Sequence, residues 1–506
     1  MKSALRLVLL VTVILAAASP GAAQDTWVGK TVILKKRGVE IRTTEKGANE
    51  AYVRLTFCHF AVLGDKNGEL HVQDGRGSSG WFDKDDAIVL DEAVAFFTER
   101  IRRDPNDSIA FFNRATAAKL KGDLDDAIRD YGEALRLNPD AIIYSARGNT
   151  WSDRKEFDQA IKDFDEALRI DPKCLDAYSG RGFAWSSTAK YDKAIADFTE
   201  GIRLDPQSVY SHESRAFAWI GKKEYDKAIA DYDRVIRLDP KNTKAYNWRG
   251  SAWNAKMDYD KAITDYSAAL KLDPKDKFAH YNRGIAWYSK KDFDKAIADF
   301  DEALQIDPKN LNALNGRGLT WYDKLDFDKA IADYDEAIKI APKAAYAYNG
   351  RGDAWLRKAD YDKAIADYSQ AIKLDPKDAL THSYRATAWN HKREFDKAIA
   401  DYNAAVRLDA KQMYAYYGRA LIWASCPEAK SRDGKKAIAS AKKALELGPK
   451  DPRNMEVLAA AHAESGDFVE AVRWQEMAVA DPQLENDEGA QGRLELYRNK
   501  MPYRQK

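Results

Sequence analysis

The chain has 506 residues, of which 45% are hydrophobic and 32% charged, and its 81 basic and 80 acidic side chains leave a formal net charge of +1. Such a chain is long enough for more than one domain and too apolar for general disorder. Charge this evenly balanced offers no electrostatic basis for binding nucleic acid.

Residues 1–23 carry Lys2 and Arg6, an apolar run over 7–18, a helix-breaking Pro20-Gly21 and the small residues Ala22 and Ala23. This order predicts a secretory signal peptide cleaved after Ala23, and hence a periplasmic or secreted protein. The alternative, an uncleaved anchor, needs a longer apolar run than this one. Without Lys2 and Arg6 the formal charge becomes −1. No Cys follows the cleavage region, so no lipid anchor is expected, and no later stretch is apolar enough to cross a bilayer. Export permits disulfides, yet Cys58, Cys174 and Cys426 are far apart, odd in number and in no CxxC spacing. Neither a disulfide framework, a metal site nor a catalytic thiol is expected of them.

Over 25–90 the apolar runs are short, at 31–34, 39–42, 52–57, 60–63 and 69–72, with Gly, Asn and Asp between them, which predicts about five strands. A Gly-Lys-x-Val opening at Gly29, a turn-rich middle and the closing Gly80-Trp81-Phe82 resemble a bacterial SH3-like β-barrel. The resemblance implies either a ligand-binding module for peptide or cell-wall components or a structural spacer. Trp27 and Trp81 serve equally as core or as contact residues.

From residue 91 the period lengthens to about 34, and the stretch 243–274 stands for the rest when numbered from 1 at Thr243 to 32 at Pro274. Position 8 is Gly or Ala in every copy, as at Gly250 and Gly284, and position 20 is always Ala, from Ala127 to Ala471. Position 11 is Trp in nine consecutive copies, from Trp151 to Trp423, and position 24 is Tyr or Phe from Tyr131 to Tyr402. Small residues opposite large rings let two helices pack closely. An Asp at position 18 (Asp226, Asp260, Asp294) is expected to cap the second helix. A Pro at position 32, from Pro139 to Pro376, stops it.

These features resemble the tetratricopeptide repeat (TPR). They cover 108–483 as eleven copies, after a half-repeat helix at 91–107 and before a capping helix and tail at 484–506, in which Leu494, Leu496 and Tyr497 offer an apolar face. The fold class is therefore mainly α: a right-handed helical-hairpin solenoid behind a small β-barrel, the two packed together because no linker separates them.

Position 7, usually Leu in this family, is Arg in ten copies from Arg114 to Arg419, and position 23 is Asp in nine of them. The two positions are equidistant from a turn centred on position 15, so each Arg should face the Asp of its own hairpin and belong to the fold rather than to an anion site. Repeat eleven changes both partners, to Leu458 and Trp474, whereas repeat ten keeps Arg419 opposite Ser440. His212, His280 and His382 at position 4 replace a packing ring. Repeat ten also carries an insertion of about five residues at 425–434, a basic loop that reads as a lengthened turn or a contact site.

In this family the first helices line the concave surface through positions 2, 5, 9 and 12. The resemblance thus implies a peptide-binding face of Tyr210, Asn247, Asn254, Phe278, Tyr281, Tyr288, Asn312, Asn315, Tyr322, Tyr346, Asn349 and Asp353, with Trp248 beside them. Asn suits a peptide backbone and Tyr offers flat area with a polar tip; the alternative for any of these rings is packing between repeats. Lys244 and Asn247 match part of the clamp that chaperone-tail binders close on a terminal carboxylate, but Ser251 and Tyr281 do not continue it. There is no Gly-rich phosphate loop, HExxH or GxSxG, so no enzyme, cofactor or metal is expected. The expected function is an exported, non-enzymatic scaffold binding protein or peptide partners in the cell envelope. The alternative is a peptidoglycan-associated protein in which the barrel binds and the solenoid is a spacer.

Overall fold

The computed structural model describes residues 27–36, 40–42, 52–54, 59–73, 79–449 and 451–505. The leader expected at 1–23 and Cys58 lie outside them; Cys174 and Cys426 are free thiols. The chain divides into two compact units, 1–240 and 241–506.

The first unit begins with a small antiparallel sheet. Its strands are β1 (Thr31–Leu34), β2 (Glu40–Arg42), β3 (Tyr52–Arg54), β4 (His59–Lys66), β5 (Glu69–Gln73), β6 (Ser79–Asp83) and β7 (Ala87–Val89), in the order β3-β2-β6-β5-β4-β1-β7. Seven strands stand where about five were expected. The two additional ones, β6 and β7, flank a single 3-10 turn. Alternation buries Phe60 and Val62 of β4, Leu70 and Val72 of β5 and Phe82 of β6, with the Phe60 and Phe82 rings edge to face at 5.9 Å. Asn67 and Gly68, at φ 54° and 80°, make the tight β4–β5 hairpin, the geometry for which an Asn-Gly pair is suited. Trp81 stacks on His71 across the β5–β6 pair at 4.7 Å.

The strand β7 runs straight into the helix Leu90–Arg103, and sheet and helices share one core of Ile33, Ile88, Ala93, Phe97 and Ala110, so the expected packing of the two is present. Asn113 strengthens it by donating to the Leu34 carbonyl at 2.9 Å. Four hairpins complete this unit, from Ser108–Lys121 with Leu124–Leu137 to Val209–Gly221 with Tyr225–Leu238.

The second unit holds seven hairpins, from Thr243–Ala255 with Tyr259–Leu272 to Pro452–Glu464 with Phe468–Val479, and then the helix Glu488–Arg498, which buries Leu494 and Tyr497. In repeat five the first helix fills positions 1–13 and the second 17–30. Ala at position 20 is fully buried in every repeat, and the rings at position 24 are buried from Tyr131 to Tyr402. Gly at position 8 is required by that ring: a Cβ on Gly284 would stand 2.8 Å from Phe300. The Trp at position 11 is only half-buried, and a Lys at position 19 lies over its face, as Lys363 does at 4.0 Å from the Trp355 ring.

The capping residue differs from the expectation. Position 16 caps the second helix, with Asp258, Asp292, Asp326 and Asp360 accepting from the amides of Lys261, Lys295, Lys329 and Lys363, while Asp226, Asp260 and Asp294 sit inside the first turn. The cause is the turn itself: position 15 is left-handed, as at Leu325 (φ 65°), and the position 16 amide bonds back to position 11, as Asp326 N does to the Trp321 carbonyl at 2.9 Å. That bond closes the first helix and leaves position 16 as the residue that opens the second. The Asp at position 18 serves stacking instead, taking an ion pair from the next repeat in Lys290–Asp260, Lys324–Asp294, Lys358–Asp328 and Lys392–Asp362. The insertion of repeat ten is held down, since Arg432 pairs with Glu464 at 3.0 Å and donates to the Cys426 carbonyl at 2.9 Å.

Candidate functional site

The arginines of position 7 face the aspartates of position 23 as expected. All nine pairs are two-pronged: in repeat six Nε and Nη2 of Arg283 donate to the two carboxylate oxygens of Asp299 at 2.8 and 2.7 Å. In Arg181, Arg215, Arg283, Arg317, Arg351 and Arg385 the third nitrogen reaches position 25 of the preceding repeat, an Asp in Arg351–Asp335 and a hydroxyl in Arg283–Ser267. The aspartates are buried and the guanidinium edges partly exposed. A planar fork on a carboxylate is a strong and directional pairing, so in nine repeats it ties the two helices of the hairpin together.

The residue at position 4 covers the ladder. In repeat two the Tyr144 ring lies 5.6 Å from the Arg147 guanidinium. The histidines there do more than fill space, because His212 Nδ1 lies 3.1 Å from Asp231, with His280 and His382 placed likewise on Asp299 and Asp401. Burial pushes the Asp231 carboxyl up, but Arg215 and His212 together outweigh it and hold it below its ordinary range. Asp197, without a histidine, stays above that range because burial outweighs Arg181.

The twelve face residues proposed from sequence fall into two sets. Tyr210, 46% exposed, belongs to the first unit; the others belong to the second. Position 2 is the outward stripe, with Phe278 65% and Tyr346 42% exposed and Asn312 exposed between them in sequence. Trp248 is 36% exposed.

Positions 5, 9 and 12 are largely spent on the fold. Asn247 donates to Asp276 at 2.6 Å and Asn349 to Asp378 at 3.3 Å, in each case to the aspartate that caps the next first helix. Tyr281 packs on Phe300 with centroids 6.0 Å apart. Tyr288 donates to Asp323 at 2.6 Å, and Tyr322 lies edge to face on Phe327 under the Arg357 guanidinium. The Asn254 carbonyl oxygen is enclosed without a donor among the described residues. Asn315 differs, because the cap after it is Ala344, which has no acceptor, and its amide makes no hydrogen bond among the described residues.

Asp353 is the one acid of the set. Its Oδ1 accepts from the Tyr368 hydroxyl at 2.7 Å, burial pushes its carboxyl up to about 6, and among the described residues no cation bonds it. Burial and this carboxylate together raise the Tyr384 phenol. Other repeats place a hydroxyl at position 9 against the same ring, as Thr387 does with Tyr402 at 3.0 Å.

Among the described residues no cluster of His, Cys, Asp and Glu has the makings of a metal site, and no helix is long and apolar enough to cross a membrane. Family models of the tetratricopeptide repeat match 108–140, 141–174 and 278–310 in one form and 186–243, 218–277, 316–379, 356–414 and 428–485 in another, together more than half of the chain. No curated protein matches it. Among solved structures, yeast Tom70 is similar over 78% of this chain and 96% of its own, at 16% identity and a TM-score of 0.40. YrrB, described as a TPR protein with an unusual peptide-binding site, is similar over 36% and 95%, at 25% identity and a TM-score of 0.33. A tetratricopeptide repeat protein of Parabacteroides merdae is similar over 49% and 99%, at 18% identity and a TM-score of 0.41.

Proposed function

The chain belongs to the tetratricopeptide repeat family, and we propose that it is an exported scaffold that holds an extended segment of a partner protein on the first-helix face of repeats six to eight. Proteins of this family are protein–protein interaction scaffolds and typically non-catalytic. The N-terminal sheet is read as an SH3-like domain attached to the array, and the segment 1–23 as the signal that exports it.

One observation carries the reading: three consecutive repeats present Phe278, Asn312 and Tyr346 outward at position 2, with the unspent amide of Asn315 beside them. Exposed rings alternating with amides suit an extended peptide, whose side chains take the rings and whose backbone takes the amides. Asn247, Asn349 and Tyr281 contribute by holding the face in place rather than by touching the partner.

The test is affinity capture from envelope extract with residues 24–506, beside a variant carrying Phe278→Ala, Asn315→Ala and Tyr346→Ala, both checked by circular dichroism. Partners held by the first and lost by the second establish the face. Equal recovery from both sinks it. Export is tested separately by mass spectrometry of the mature chain from the expressing cell, which should begin at Gln24.

A further inference from the structure

The tenth arginine of the ladder lacks what the other nine have. In repeat nine, Nε and Nη2 of Arg385 each donate to Asp401 at 2.7 Å, and Nη1 donates to Ser369 at 3.0 Å. One repeat later, Arg419 keeps the same posture, with Nη1 on Asn403 at 2.6 Å and Nε on the Ser440 hydroxyl at 3.1 Å. Its Nη2 has no acceptor among the described residues, whereas that atom takes a carboxylate oxygen at 2.5–2.7 Å in every other copy. Serine in place of aspartate removes the negative charge and most of the volume that filled the fork.

The surroundings are built for a cation nonetheless. Tyr416 and Trp423 lie 5.2 and 4.8 Å from the guanidinium, so two rings wall it. Elsewhere the Trp of position 11 carries the Lys of position 19 closely, at 4.5 Å for Lys397 over Trp389; here Lys436 stands back at 5.9 Å. Burial presses the Arg419 guanidinium below its ordinary value, while Arg351 is raised by Asp367. The same place in repeat nine is a surface depression lined by Arg385, Trp389, Lys397, Ala400 and Asp401. At the corresponding positions of repeat ten Ser440 is buried, and Ala439 and Lys436, which pairs with Asp433 at 3.0 Å, are exposed.

A half-buried guanidinium needs a counter-charge, and a forked, ring-walled slot selects a planar group with two oxygens. We propose that Arg419, with the Ser440 hydroxyl beside it, is a binding site for a carboxylate supplied from outside the chain, which takes the place that Asp fills in the other nine repeats. The site is distinct from the position 2 stripe and does not depend on it. The carboxylate is either a free organic acid or an Asp or Glu side chain of a partner.

The test is hydrogen–deuterium exchange of the full mature chain at pH 7 in sodium acetate, in acetyl-aspartyl-methylamide and in sodium chloride or phosphate of equal ionic strength. Acetate should slow exchange in Met413–Ser425 and Gly434–Leu447 about twofold when its concentration equals the dissociation constant, with no change in repeat two. Protection by the blocked aspartate as well points to a protein carboxylate, and protection by acetate alone points to a free acid. Ser440→Asp should show the protected rate without acetate and gain nothing from it. Arg419→Gln should lose the response, which decides the matter if the first variant does not fold. No protection in the wild type, equal protection by chloride or phosphate, or an undiminished response in Arg419→Gln overturns the proposal.

Discussion

Repeats two and ten are two answers to one problem. Both bury an arginine between their helices under a tyrosine, Arg147 under Tyr144 and Arg419 under Tyr416. Repeat two supplies the counter-charge from its own second helix, with Arg147 Nε and Nη2 each 2.7 Å from Asp163. Repeat ten supplies a hydroxyl, a neighbour's amide and a second ring. The difference teaches that the arginine does not demand an aspartate in order to be placed. Packing places it, with a position 25 acceptor in repeat ten (Asn403) and none in repeat two (Gly132), and the aspartate neutralises it.

The strongest way to break that contrast is Asp163→Ser, which gives repeat two the hydroxyl of repeat ten without its second ring or its neighbour's amide. Removing one partner of a buried pair strands the other, so the loss is expected to be about 3 kcal/mol. Denaturant unfolding and local hydrogen exchange should place it in repeats one to three. A loss under about 1 kcal/mol would mean that solvent already screens the pair.

Asp353 sharpens the contrast from the opposite sign, because it is a half-buried acid without a cation. Its carboxyl is raised from 3.8 to about 6, so the folded state holds the proton longer than the unfolded one. Stability from this group is therefore present at low pH and is lost as pH rises from about 4 through 6. Asp353→Asn keeps the acceptor for Tyr368 and should gain about 3 kcal/mol at pH 7.5, and nothing at pH 3.5. A variant whose pH profile parallels the wild type would show that the group is solvated.

The smallest effect concerns turns. Repeats one and eleven place Gly122 and Gly466 at the left-handed position 15, whereas repeat seven places Leu325 there at φ 65° with 61% of its surface exposed. Leu325→Gly should gain roughly 0.5–1 kcal/mol, because the Cβ resists that conformation and most of the side chain is already in solvent. Thermal unfolding of the single variant is a sufficient readout.

Much of this was legible in the residues. The eleven hairpins, the buried Ala at position 20, the ring at position 24 and the nine Arg–Asp pairs all follow from spacing, because each is a contact within one 34-residue unit read many times over. Two things were not legible. With Asp at both 258 and 260, the sequence offered two caps, and the choice fell to the backbone bond from Asp258 N to the Trp253 carbonyl at 3.0 Å. The asparagines of position 5 looked alike, yet Asn247 and Asn349 are engaged and Asn315 is not. The signal was there in Asp276, Asp378 and Ala344, each 29 residues further on, but it has meaning only once the next repeat is stacked in place.

By itself, then, the sequence determined the repeat: its period, its core of small against large, its internal ion pair and the departure at Ser440. Only the tertiary structure decided which polar groups remain unspent, because a hydrogen bond between neighbouring repeats depends on how closely they stack. The same holds for the fork of Arg419, whose emptiness is defined by what Asn403 and Trp423 do and do not supply.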